Sequence, residues 1–303
     1  MPTLSGTPSR AAFRVGLVQM SCSTDIAANR AKAAARVRQA AKKGAQVICL
    51  QELYDAQYFC QEEDYKRHDL AEPIPGPSTD AMAALARELQ VVIVTPVFER
   101  RAPGVNHNSA AVFDADGSLA GVYRKMHIPD DPHYYEKFYF APGDLGFKTF
   151  QTRYANVGVL ICWDQWYPEG ARLTALRGAD ILFYPTAIGW HPQEKKSEGA
   201  KQRDAWMTVQ RGHAVANGIY IAAANRVGLE KEMTDTGAGI EFWGSSFLCG
   251  PQGEILKQAS TSKEEILIGE CDPAHSQYVR RNWPFFRDRR IDAYGDITRR
   301  WID

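Results

Sequence analysis

Apolar positions along this chain recur with two periods, and the alternation between them sets out the elements. Phe13 to Met20 alternates buried-type and other residues and predicts a strand. Ala27 to Lys43 is rich in Ala, Arg and Lys and predicts a helix, with Thr24 or Asp25 as N-cap and Gly44 as its stop. Val47 to Leu50 is a short apolar run, the signature of a buried strand. Pro75-Gly76-Pro77 predicts a turn, Ser78 to Gln90 a helix capped by Ser78 or Thr79, and Val91 to Phe98 a β-branched strand. Asn108 to Phe113 and Leu119 to Arg124 read as two strands joined by Asp114-Ala115-Asp116-Gly117, a hairpin signal.

The second half repeats the alternation. Strands are predicted at Val157 to Ile161, Asp180 to Tyr184 and Ile219 to Ala224, with helices at Pro168 to Arg177 and Gly199 to Asn217 between them. Trp243 to Cys249, Ile255 to Gln258 and Glu265 to Cys271 read as further strands, and Asp272 with Pro273 opens a last helix. Residues 126–146 carry His, Pro, Asp, Tyr and Gly with no period, a long loop of the kind that carries function. Strands alternating with helices predict an α/β fold with mixed sheets and helices on the outer faces. No composition shift marks a linker, so residues 13–303 read as one domain behind a loose tail, Met1 to Ala12.

Composition narrows the function. The 303 residues are 45% hydrophobic, enough for a sizeable core, and 36 basic residues balance 36 acidic ones. No overall field favours a nucleic acid or an anionic membrane, so a small-molecule partner is expected. The N-terminus lacks a signal peptide's apolar stretch, and no apolar run approaches the ~20 residues of a membrane span, which predicts a cytoplasmic protein. The six cysteines are scattered, with no Cys-x-x-Cys, and the seven histidines do not cluster at ligand spacing. Neither a metal nor a cofactor is expected.

Three reactive residue types end three separate strands. Cys162 closes the apolar run from Val157 and precedes Trp163-Asp164 and a helix, the setting of a nucleophile on a strand-to-helix turn. A nearby cation would lower its thiol pKa; as a core thiol it would be inert. Glu52 follows the strand Val47 to Leu50, where a partly buried carboxylate suits a general base; the plainer alternative is a surface ion pair. Lys125 ends the strand Leu119 to Arg124 and would stabilise an oxyanion, or else be an exposed basic strand end.

In this order, Leu50-Gln51-Glu52-Leu53, Tyr123-Arg124-Lys125-Met126-His127-Ile128-Pro129 and Ile161-Cys162-Trp163-Asp164 resemble the nitrilase, or carbon–nitrogen hydrolase, superfamily over about residues 13 to 295. The resemblance implies a four-layer αββα sandwich, homodimers or larger homo-oligomers, and a second glutamate in the loop after the lysine. Glu136 matches that position; by itself it reads equally as a loop acid beside Lys137. Within the superfamily the chain is most similar to the N-carbamoylputrescine amidohydrolases. Tyr58-Phe59-Cys60-Gln61, His127-Ile128-Pro129-Asp130, Glu136-Lys137-Phe138-Tyr139-Phe140, Cys162-Trp163-Asp164-Gln165-Trp166, Tyr184-Pro185-Thr186-Ala187-Ile188-Gly189 and Phe286-Arg287-Asp288-Arg289-Arg290 carry that likeness. Where the branch carries a small residue and an acid after Ile188-Gly189, this chain has Trp190-His191-Pro192.

The resemblance implies that Glu52, Lys125, Cys162 and Glu136 form the catalytic set. It implies a substrate pocket touched by Tyr58, Asp130, Trp163, Thr186, Ala187 and Trp190, with Trp166 on the same aromatic wall. A diamine substrate needs a carboxylate for its distal ammonium, and Asp130, Asp131, Glu194 and Glu241 are all candidates. The expected reaction is hydrolysis of N-carbamoylputrescine to putrescine, carbon dioxide and ammonia. Amidases of other N-carbamoyl amines or amino acids or of ω-amides, nitrilases, and a non-catalytic protein on the same fold are the alternatives. The segment from about 280 to 303 is expected at a subunit interface.

Overall fold

The computed structural model describes residues 10–231 and 239–302. Residues 1–9 of the expected tail lie outside them, and Arg10 is tied to Asp180 by an ion pair of 2.8 Å.

Strands β1 (Phe13–Gln19), β2 (Val47–Cys49) and β3 (Val92–Ala102) run parallel, connected through helices α1 (Ile26–Lys42) and α2 (Pro77–Leu89). β3 turns back antiparallel into β4 (Val105–Phe113), and β4 into β5 (Leu119–Arg124). A one-turn helix, α3 (Glu136–Tyr139), interrupts the long loop that follows. The second half then repeats the pattern with β6 (Thr149–Gln151), β7 (Asn156–Val159), α4 (Pro168–Leu176) and β8 (Ile181–Thr186). β9 (Gly189–Trp190), α5 (Gly199–Asn217), β10 (Tyr220–Asn225), β11 (Val227–Glu230), β12 (Ile240–Trp243) and β13 (Phe247–Cys249) come next. β14 (Ile255–Gln258), β15 (Glu265–Cys271) and α6 (Pro273–Asn282) complete the order.

The strands form two six-stranded sheets, ordered β15-β1-β2-β3-β4-β5 and β14-β13-β10-β8-β7-β6, and a small sheet β11-β12-β9. Period-two patterning explains the layers. On the first sheet Val15, Leu17, Val47, Cys49, Val92 and Val94 join the core shared with Val157, Val159, Phe183 and Ala222 of the second. Their neighbours Val18, Ile48 and Ile93 point the other way, onto Ala33, Val37, Met82 and Leu85 of α1 and α2. Helices α4 and α5 pack on the second sheet. The result is the expected αββα sandwich.

Two local expectations change. Asp25 caps α1 by accepting the Ala28 N–H at 3.0 Å, but α2 starts earlier than its pattern suggests, at Pro77 with Gly76 as N-cap. Proline suits a first helical position because it has no N–H to satisfy there. Thr79 serves the cap from inside, accepting the Gly76 N–H at 2.7 Å. The single strand expected over Trp243 to Cys249 is two strands in two sheets, because Gly244 and Ser245 both take left-handed backbone (φ +51° and +56°). A side chain at Gly244 would lie 2.6 Å from Gln19 Nε2, so the break needs glycine.

Candidate active site

The parallel strands β2, β7, β8 and β10 all deliver their C-terminal ends to one side of the sandwich, where α/β folds build sites. Glu52 follows β2, Cys162 follows β7, and Thr186-Ala187 end β8. Lys125 follows β5 and is pinned to β4 by its N–H donating to the Asn108 carbonyl at 2.8 Å. Glu136 opens α3.

These pieces converge. The Lys125 ammonium lies between two carboxylates, 2.8 Å from Glu52 Oε1 and 2.6 Å from Glu136 Oε2, with all three side chains fully buried. Glu52 Oε1 also accepts from Asn108 Nδ2 at 2.7 Å, while Glu52 Oε2 has no hydrogen-bond partner among the described residues. Glu136 Oε1 accepts from the Tyr58 hydroxyl at 2.7 Å. Neither acid is a surface ion-pair residue, and Lys125 is not an exposed strand end.

Charge and burial compete here. Burial pulls a lysine's pKa down, but the charges of Glu136 and Glu52 outweigh it and hold the Lys125 ammonium well above its ordinary range. Burial raises the Glu136 carboxyl, Lys125 draws it back and Glu52 raises it again, leaving it pushed up to about 7. The Cys162 thiol goes the opposite way from the simple expectation of a lowered pKa. Burial first, then the Glu52 charge, push it well above its ordinary value, and Lys125 offsets only part of this. The sulfur therefore rests as a protonated thiol and needs a base at the moment of attack.

Cys162 has left-handed backbone (φ +43°), an unfavourable conformation for a side-chain-bearing residue and one met at sharp nucleophile turns. Asp164, which the sequence left unassigned, holds that turn. Its buried carboxylate accepts the Ile161 N–H at 2.8 Å and the Tyr123 hydroxyl at 2.7 Å with one oxygen. The other oxygen takes the His127 N–H at 3.0 Å and lies 2.7 Å from His127 Nδ1. The Cys162 turn and the loop leaving Lys125 are thus fastened to one side chain. A carboxylate three residues after the turn's first N–H was the available signal, since acids at that position reach back to orphan donors.

A cavity of about 580 Å³ opens on Cys162 and is walled by Trp163, Trp166, Tyr134, Ile188 and Trp243. Asp131 and Glu194 also line it, together with His133 and His191, whose rings stack at 4.4 Å. Among the described residues no Lys or Arg lines this cavity. Of the residues expected to touch substrate, Trp163 is on the wall and five sit elsewhere. Tyr58 is spent beneath Glu136. Trp190 packs behind the wall on Trp243 (ring centroids 5.5 Å apart), its indole N–H donating to the Gly199 carbonyl. Thr186 is buried and donates to the Tyr184 carbonyl, and Ala187 offers its carbonyl to the Cys162 thiol at 3.9 Å. Asp130 is exposed and is not among the residues that line the cavity, whereas its neighbour Asp131 is. Glu241 is engaged by Lys195 at 2.7 Å from both its oxygens. No group of three or more His, Cys, Asp or Glu among the described residues is arranged to hold a metal ion, and no helix there is long and apolar enough to cross a membrane.

Known proteins carry the same arrangement of sequence and fold. The carbon-nitrogen hydrolase family profile matches residues 14–281. The chain is 47% identical to an N-carbamoylputrescine amidase from Solanum lycopersicum over 92% of this chain and 93% of that protein. It is 42% identical to a citrullinase from Francisella tularensis, covering 95% and 99%. A carbon-nitrogen hydrolase from Helicobacter pylori G27 superposes with a TM-score of 0.93 at 48% identity, covering 96% of this chain and 100% of that one. This chain belongs to the carbon–nitrogen hydrolase family, the nitrilase superfamily of hydrolases acting on carbon–nitrogen bonds other than peptide bonds.

Proposed function

We propose that the protein hydrolyses N-carbamoylputrescine to putrescine, carbon dioxide and ammonia. The observation that carries this is the wall of the cavity above Cys162: apolar rings for an aliphatic chain, the carboxylates of Asp131 and Glu194, and no Lys or Arg among the described residues. A distal ammonium gains from those carboxylates, whereas a ureido acid or citrulline brings a carboxylate that needs a cation there. The names of the Solanum lycopersicum relative and its counterparts agree with this reading; the citrullinase names the main competitor.

In the scheme Glu52 Oε2, the oxygen with no partner, takes the Cys162 proton as the sulfur attacks the ureido carbon. Lys125 and the Trp163 N–H, one of the first donors of a short helical turn, meet the oxyanion. Ammonia leaves with the proton from Glu52, and the aminobutyl-carbamoyl group stays on sulfur as a thiocarbamate ester. Water activated by Glu52 displaces the sulfur, and the released carbamate loses carbon dioxide to give putrescine. Glu136 holds Lys125 in place.

We also propose a homodimer or larger homo-oligomer, in which the segment from about 280 to 303 covers a second copy. The six unpaired thiols among the described residues fit a reducing, cytoplasmic compartment. Ammonia release from N-carbamoylputrescine, citrulline, a β-ureido acid, an ω-amide and a nitrile tests the substrate. The highest kcat/KM is expected for N-carbamoylputrescine, and a preference for either ureido acid would overturn the assignment.

A further inference from the structure

Arg226 lies just past β10 and is fully buried. Its guanidinium is spent on the chain around Glu52. Nη2 donates to the carbonyls of Glu52 at 3.0 Å and Leu53 at 2.7 Å. Nη1 donates to the Ala56 carbonyl at 2.8 Å and to Glu230 Oε1 at 2.7 Å. Leu53 has left-handed backbone (φ +48°), a conformation that a leucine keeps only when its surroundings enforce it. Without the fork, the carbonyls of Glu52 and Leu53 would lose these partners inside the protein.

The contacts continue around the site. Glu230 Oε2 accepts the Tyr58 N–H at 2.6 Å. The Tyr58 hydroxyl donates to Glu136, Glu136 holds Lys125, and Lys125 holds Glu52. The circuit closes where Arg226 grips the Glu52 carbonyl. Every side chain in it is buried, so none can be displaced cheaply into water.

We propose that Arg226 is a positioning residue for the reaction: it locks the left-handed turn after Glu52 and so aims the free Glu52 oxygen at the Cys162 thiol. This rests on the reading of Cys162 as nucleophile and Glu52 as base. A lysine keeps the charge but has no planar fork with which to span the two carbonyls and Glu230. Misplacing a reacting group by about 1 Å costs ~10²-fold in rate. A residue that only supported the fold would change melting temperature and leave each folded molecule fully active.

The test uses the full chain with Arg226→Lys, Glu230→Gln and Glu52→Gln, each checked for folding by circular dichroism. It measures kcat and KM for N-carbamoylputrescine, and the rate at which iodoacetamide alkylates Cys162 across pH, located by peptide mass. Folded Arg226→Lys should lose ~10²-fold in kcat with KM little changed, and alkylate Cys162 as slowly as Glu52→Gln does. Glu230→Gln should fall in the same two measurements by less. Wild-type turnover and alkylation in folded Arg226→Lys overturn the proposal. Should that variant not fold, the same result in Glu230→Gln overturns it. If Glu52→Gln itself alkylates like wild type, the catalytic reading has failed and this one falls with it.

Discussion

At the scale of single residues, the state of the Cys162 thiol is set by competition between burial and charge. Cys162 faces a lysine ammonium, yet burial and two glutamates win, and the thiol rests protonated. The other five cysteines are buried too, and burial raises them as well: Cys22 to about 11 and Cys249 to about 12. An ordinary cysteine is half-ionised near pH ~8.5. Raised pKa values mean that the proton stays on at that pH, so the native protein should show almost no thiolate absorbance there. A thiolate signal at about pH 8.5 that disappears in Cys162→Ser would contradict this. Glu52, Lys125 and Cys162 were legible in the sequence because each sets a reactive side chain at or just past the end of a strand. Asn108, Asp164 and Arg226 were not, because a buried polar residue looks like any other until its partners, far away in the chain, are brought beside it.

At the scale of elements, the long periodic segments were readable and the short ones were not. Most strands of the two large sheets and helices α1, α2, α4 and α5 follow their apolar periods, while β6 went unread and β13 was merged with β12. β9, with two residues, and β12, with four, are too short to show a period, yet Gly189 and Trp243 on them line the cavity. The resemblance implied a substrate-facing Trp190, but on β9 it packs against Trp243. The C-terminal segment after α6 is another case, rich in Arg and aromatics in sequence, with many of its large apolar side chains exposed in the single chain. Ile291 is 74% exposed and Trp301 81%, with Trp283, Phe285, Tyr294 and Ile297 exposed nearby. So many large apolar side chains in one stretch support the proposal that this segment covers a second copy. The full chain should sediment as a dimer or larger, and a chain ending at Asn282 as a monomer. Equal sedimentation of the two would place the interface elsewhere.

At the scale of the whole molecule, the site exists only because the two halves of the sandwich meet. Glu52, Lys125 and Glu136 come from the first sheet and its loop, and Cys162 from the second. The sandwich and the reaction class were readable early because three short motifs in order carry a family's likeness. The substrate was less so, since specificity depends on which carboxylates line a cavity that loops from both halves enclose. Asp131 and Glu194 emerge there, while Asp130 and Glu241 do not. The account stands on covalent attack by Cys162 on a ureido carbon, and rapid-quench mass spectrometry with N-carbamoylputrescine reads that step directly. It should find the substrate less ammonia attached to the peptide bearing Cys162 during turnover, and no adduct and no turnover in Cys162→Ala. Undiminished turnover in Cys162→Ala, or an adduct on another residue, would contradict it.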